Sequence, residues 1–204
     1  NRIMISVNMS VLWSDQTDLI VQGITEATEN IVAYREDEFS SQESLLLLGE
    51  DIEAVCKFWT GNTYVGSPKL KMIKEAFQGF FKELMNLLLA MKDSEKDYEV
   101  RVAKTMLYRG TIYRYLGHNH PNKKVVVPQY NEIYVSWSKL PKNNYITSKL
   151  YGPITWMSCE ITAPLYGIDL DAIGCSRVSE YEVVFPTMEG YITEIKFISE
   201  EDDE

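Results

Sequence analysis

Two glutamates spaced i and i+2, Glu180 and Glu182, stand just before Val183-Val184-Phe185-Pro186, a run of strand formers closed by a proline. In an extended chain that spacing puts both carboxylates on one face. Two like charges on one face are costly unless water or a bound ligand uses them, and their repulsion tends to keep one of them protonated. One residue type can then supply both an acid/base and a permanent anion. The same pattern also fits the solvated face of a surface strand, and this stretch alone leaves both readings open.

Two stretches upstream carry further chemistry. In Met106-Leu107-Tyr108-Arg109-Gly110-Thr111 an arginine is flanked by apolar strand residues, where a buried guanidinium needs a partner. Its forked donors suit a carboxylate or a diphosphate, and the glycine after it lets a ligand approach the backbone. A structural ion pair is the competing account. In Tyr134-Val135-Ser136-Trp137-Ser138-Lys139, Ser136 and Ser138 share a strand face opposite Trp137 and could orient a carboxylate. No Ser-His-Asp set accompanies them, so Ser136 is not read as a nucleophile.

Arginine, then Ser-x-Ser, then Glu-x-Glu is an order that resembles the arginine–serine–glutamate class of mono-ADP-ribosyltransferases, which includes clostridial-type toxins and vertebrate cell-surface enzymes. Arg109, Ser136-Trp137-Ser138 and Glu180-Tyr181-Glu182 carry the likeness. Phe58-Trp59-Thr60-Gly61 resembles the family's aromatic-Thr-Gly turn, and residues 166–179 resemble the loop leading to the glutamates. Trp137 departs from the family's usual threonine.

The resemblance implies an α+β fold, with N-terminal helices packed on a two-sheet, mainly antiparallel β-sandwich and an NAD cleft between the sheets. It implies transfer of ADP-ribose from NAD, as substrate, to an arginine side chain of a protein target, with release of nicotinamide. Glu182 would stabilise the oxocarbenium-like transition state and Ser136 would hold its rotamer. Arg109 would grip an NAD phosphate, the Gly110 backbone would meet the nicotinamide amide, and Ser138 would join the cofactor contacts. Glu180 would orient and deprotonate the incoming guanidinium. By analogy the setting is a toxin or effector, secreted or delivered into a host cell and acting in the cytosol. An NAD glycohydrolase and a catalytically silent binding module on the same fold are the alternatives.

Composition agrees with a folded domain. In 204 residues, 45% hydrophobic and 12% aromatic content suffices for a core. A net charge of −10 argues against nucleic acid as a partner and favours cationic target surfaces. No apolar run is long enough to span a membrane. The three cysteines, Cys56, Cys159 and Cys175, are expected as reduced packed thiols and have no zinc-ligand spacing with His118 or His120. His118-Asn119-His120 spells a nuclease-like motif without its ββα-metal context and is read as a polar loop. No Gly-x-Gly-x-x-Gly or phosphate loop is present, so NAD would not be held in a Rossmann manner. Tyr145, Tyr151, Tyr166 and Ile168 are weighed as ligand or target contacts against ordinary packing. The acidic run 200–204 reads as a solvated tail or a cut end.

The elements that must position these residues change character along the chain. Residues 1–97 read as a helical layer. A helix over 15–32 is interrupted at Gly23, a cap at Ser41 precedes 45–48, a short helix covers 51–59, and a long one over 69–92 carries a Phe/Leu stripe. Residues 98–204 read as the β-rich catalytic part of the same domain, with strands over 105–113, 125–127, 133–136, 154–161, 181–185 and 191–198. Helices followed by a run of strands give an α+β class.

Overall fold

The computed structural model describes residues 17–37, 41–61, 64, 66–115, 136–140, 156–161, 166–176, 180–186 and 195–198. The chain is α+β and divides into two compact units, Asn1–Met106 and Leu107–Glu204. Among the described residues the first holds the helices α1 (Thr17–Glu36), α2 (Gln42–Gly61), α3 (Leu70–Lys92) and α4 (Asp97–Met106). Among the described residues the second holds seven short strands: β1 (Leu107–Tyr108), β2 (Thr111–Tyr115), β3 (Ser136–Ser138), β4 (Trp156–Ile161), β5 (Gly167–Asp169), β6 (Glu182–Val184) and β7 (Ile195–Ile198).

The helical unit follows the apolar periodicity. Ile73, Phe77, Phe80, Phe81, Leu84, Leu87 and Leu88 of α3 are all buried. Rings from α2 and α3 interlock, Trp59 meeting Phe77 and Phe81 edge-on at 5.0 and 5.3 Å, a geometry that adds to the area buried. In α1 the buried stripe is Ile20, Ile24, Ala27 and Ile31, and Leu19 faces solvent. The helix runs unbroken through Gly23, which is itself buried, so the expected interruption does not occur. The segments expected at 45–48 and 51–59 are likewise one helix, α2. Ser41 caps it, its Oγ accepting the Ser44 N–H at 3.1 Å.

At α4 the buried Glu99 carboxylate accepts the Tyr34 hydroxyl and the Ser94 hydroxyl, each at 2.7 Å. The change from helix to strand therefore falls at Met106, and the strand expected from Thr105 begins at Leu107. Two of the three cysteines, Cys56 and Cys175, are buried, in keeping with packed thiols. No helix among the described residues is long and apolar enough to cross a membrane.

Among the described residues the strands form one antiparallel sheet, ordered β1-β5-β6-β3-β2-β4-β7. Only Arg109 and Gly110 separate β1 from β2, yet β5, β6 and β3 lie between them in the sheet. Four strand spacings of about 4.8 Å make roughly 19 Å in a flat sheet. From Tyr108 to Thr111 the chain reaches at most about 11 Å. This part of the sheet must therefore be rolled. Gly110 sits at the corner with φ +156°, and a Cβ there would lie 2.8 Å from the Tyr108 hydroxyl. The strands expected over 125–127 and at 133–135 lie outside the described residues, as do His118, His120, Tyr145 and Tyr151.

Register sorts the side chains. Leu107, Ile168, Val184, Ser136, Ser138 and Glu182 fall on one face of β1, β5, β6 and β3; Tyr108, Asp169, Val183 and Trp137 fall on the other. Both faces are packed, with Ile168 and Val184 buried on the first and Trp137 and Val183 on the second. The second also carries an ion cluster. The Lys139 Nζ lies 3.1 Å from Asp169 Oδ2 and 2.9 Å from Asp171 Oδ2. Burial alone lowers the lysine pKa, but hydrogen bonds to Asp171 and Asp169 and their negative charge outweigh it and hold the pKa above the ordinary lysine range. Gly167 is demanded by the same face, because a Cβ there would collide with Val183 Cγ1 and approach Phe185 Cε2 to 2.9 Å.

Two outcomes follow for stability. Gly167→Ala overpacks β5 against β6 and lowers unfolding free energy by about 1–3 kcal/mol, measured by urea denaturation. Lys139 is protonated in both states at neutral pH, and its raised folded pKa makes its contribution complete below an unfolded pKa of about 10.4. Wild-type stability therefore falls as pH rises above that value and through the folded pKa. Lys139→Met is less stable at pH 7 and loses that alkaline decline, measured by denaturation at both pH values.

Candidate active site

The site grows from the pairing of β3 with β6. Val183, Val184 and Phe185 are each 2% exposed or less, so β6 is an interior strand buried on both faces. Its first residue, Glu182, is drawn in with it and is 6% exposed. Ser138 lies directly across from Glu182 and Ser136 lies across from Val184, on the same face. A long side chain reaches the diagonal neighbour on its face. Accordingly the Ser136 hydroxyl donates to Glu182 Oε1 at 2.8 Å.

The Glu182 backbone is fixed as firmly as its carboxylate. Its N–H donates to Ser176 Oγ at 3.0 Å, and its C=O accepts the Leu170 N–H at 3.0 Å. The loop that supplies Ser176 folds tightly on itself. The Cys175 and Ser176 N–H groups both reach the Leu170 C=O, at 2.9 and 3.2 Å, and Gly174 turns the chain with φ +73°. These bonds hold the start of β6 before any side chain acts.

The two glutamates do not share the extended geometry that their spacing suggests. Tyr181 between them has φ +47°, in the left-handed region that a bulky residue rarely adopts. Side-chain alternation therefore does not carry from Glu182 back to Glu180. Glu180 is half-buried in the turn before β6, and Glu182 is buried at the strand's start. The expected face-sharing of the pair is corrected accordingly.

Ser138 has a different role from Ser136. Its hydroxyl donates to the Leu140 C=O at 2.9 Å and accepts the Leu140 N–H at 3.2 Å, closing the turn after β3. Of the two hydroxyls expected to orient a carboxylate, the bond to Glu182 comes from Ser136.

Arg109 is exposed, which corrects the expectation of a buried guanidinium. It leaves β1 at its end, and its Cζ sits 4.0 Å from the centre of the Tyr166 ring, which precedes β5. Stacking on an aromatic face restrains a guanidinium while leaving its in-plane donors usable. The sheet thus carries Arg109 at the β1/β5 edge and the Ser136–Glu182 pair at β3/β6, with β5 between. Phe58-Trp59-Thr60-Gly61 closes α2 in the helical unit and is not a separate turn.

Sequence reasoning missed β5 and the parts played by Ser176, Tyr181 and Lys139. It weighed Tyr166 as a target contact and not as a support for Arg109. Among the described residues no group of three or more His, Cys, Asp or Glu could hold a metal ion. No known protein family, no curated protein and no solved structure matches the chain.

Proposed function

We propose that the protein is an arginine-directed mono-ADP-ribosyltransferase that uses NAD as substrate. The observation that carries this reading is the buried Glu182 carboxylate held by the Ser136 hydroxyl at 2.8 Å. A carboxylate taken out of water and fixed in one rotamer is a pre-set anion, suited to stabilising positive charge that develops during a reaction. Arg109 supplies the complementary element, an exposed cationic fork suited to a diphosphate. The rolled path from β1 to β2 is compatible with the finer fold assignment, in which a curved sheet folds over into two layers.

The proposed chemistry is compatible with these groups. Glu182 faces the ribose while the bond from its anomeric carbon to the nicotinamide nitrogen breaks. That electron pair leaves with neutral nicotinamide. A guanidine nitrogen of the target forms the new bond to the anomeric carbon, and Glu180 takes the proton that nitrogen loses. Arg109 and the Gly110 backbone anchor the dinucleotide. By analogy with the resembled class, the biological setting is a toxin or effector working in a host cytosol.

Incubation with labelled NAD and arginine-containing protein tests the reading. Wild type places label on arginine, in hydroxylamine-labile linkage. Glu182→Gln keeps the fold by circular dichroism and loses transfer by at least about 100-fold. Glu180→Ala loses transfer to arginine and retains NAD hydrolysis. Free ADP-ribose alone from wild type would make the protein a glycohydrolase, and no turnover at all would leave a silent binding module.

A further inference from the structure

We infer that the left-handed turn at Tyr181 is a positioning device that sets Glu180 apart from Glu182, so that Glu180 serves the acceptor while Glu182 serves the sugar. This inference rests on the transferase reading for its functional half. Its conformational half stands on the backbone alone.

The turn is held on its C-terminal side. The Tyr181 C=O accepts the Lys139 N–H at 2.9 Å, which ties it to the end of β3. In the same peptide group the Glu182 N–H donates to Ser176 Oγ, and the Glu182 C=O accepts the Leu170 N–H. The end of β3 and the 170–176 loop thus fix the two peptide groups that follow the residue with φ +47°. A non-glycine residue stays in that region only when its surroundings over-determine it, and such residues gather at functional sites. The tyrosine ring has no part in the left-handed preference, since asparagine and glycine adopt it more readily.

The consequence for the carboxylates is geometric. With Tyr181 extended, residues 180 and 182 would project from the same face. Both carboxylates would then stand as neighbours on the face that carries Ser136 and Ser138, a like-charge arrangement. The positive φ breaks the alternation at that peptide, so Glu180 is presented from the turn and not from the strand face. Lys139 and Ser176 are the supports of this arrangement. Lys139 acts here through its backbone N–H, while its ammonium is engaged with Asp169 and Asp171 on the opposite face.

Four variants test the inference: Tyr181→Gly, Tyr181→Asn, Tyr181→Ala and Tyr181→Val. All remove the ring, so differences among them report the backbone. Glycine ordinarily lowers stability relative to alanine. Here the thermal midpoint of Tyr181→Gly lies at or above that of Tyr181→Ala, and Tyr181→Val is lowest. The usual order, alanine above glycine, would overturn the conformational claim whatever the activity. For the functional half the readout is the ratio of arginine transfer to NAD hydrolysis. Tyr181→Gly and Tyr181→Asn keep the wild-type ratio, and Tyr181→Val lowers it by roughly tenfold or more because Glu180 loses its place as base. An unchanged ratio in Tyr181→Val, with wild type active, would refute the positioning role and leave the transferase reading intact. A wild-type protein with no NAD turnover would refute the reading and the role together.

Discussion

A carboxylate inside a β-sheet is an expensive group to bury, and the arrangement around Glu182 is built to offset that cost. An unpaired ionised carboxylate in a low-dielectric interior is penalised by several kcal/mol, far more than one ordinary hydrogen bond returns. Glu182 is 6% exposed because it heads β6, and β6 is interior because Val183, Val184 and Phe185 require burial. Hydrophobic burial of three neighbours thus carries the charged residue inward. The hydroxyl of Ser136 and the backbone bonds from Ser176 and Leu170 then fix its orientation. β3 and the 170–176 loop both converge on this one residue.

The sheet sorts its polar side chains between two packed faces. Trp137, Val183 and the Lys139–Asp169–Asp171 cluster occupy one face. Gly167 keeps β5 close to β6 on that same face. Ser136 and Glu182 occupy the other. Trp137 fits between the two serines because alternation sends residue 137 away from the carboxylate. The rolled path from β1 to β2 has a comparable logic. Two residues span what would be four strand spacings in a flat sheet, and one of them, Arg109, is the exposed cation stacked on Tyr166.

Some of this was legible in the residues and some was not, for identifiable reasons. The helix α3 could be read directly, since seven Phe, Ile and Leu positions at spacings of three and four fit one helical face. The strand at β6 could be read from Val183-Val184-Phe185. Gly23 was misleading, because a buried glycine inside a helix can serve close packing at a modest propensity cost. The boundary after α4 was displaced because Val100, Val102 and Thr105 favour strands locally, while packing of Ala103 and Met106 decided for helix. β5 was invisible: Gly167-Ile168-Asp169 is three residues long and looks like a turn until its partners are known.

The sequence by itself determined the α+β class, the apolar stripe of the helical unit, and the residue types able to hold an anion, a cation and a hydroxyl in order. Those depend on local periodicity and side-chain chemistry, which neighbours in the chain already specify. Folding decided which serine reaches the glutamate, that Arg109 is exposed and stacked, and that the chain is not extended between the two glutamates. These depend on strand register and on one backbone angle at Tyr181. Register is set by contacts between residues far apart in the chain, and the peptides that follow Tyr181 are held by the end of β3 and the 170–176 loop, which only folding brings together.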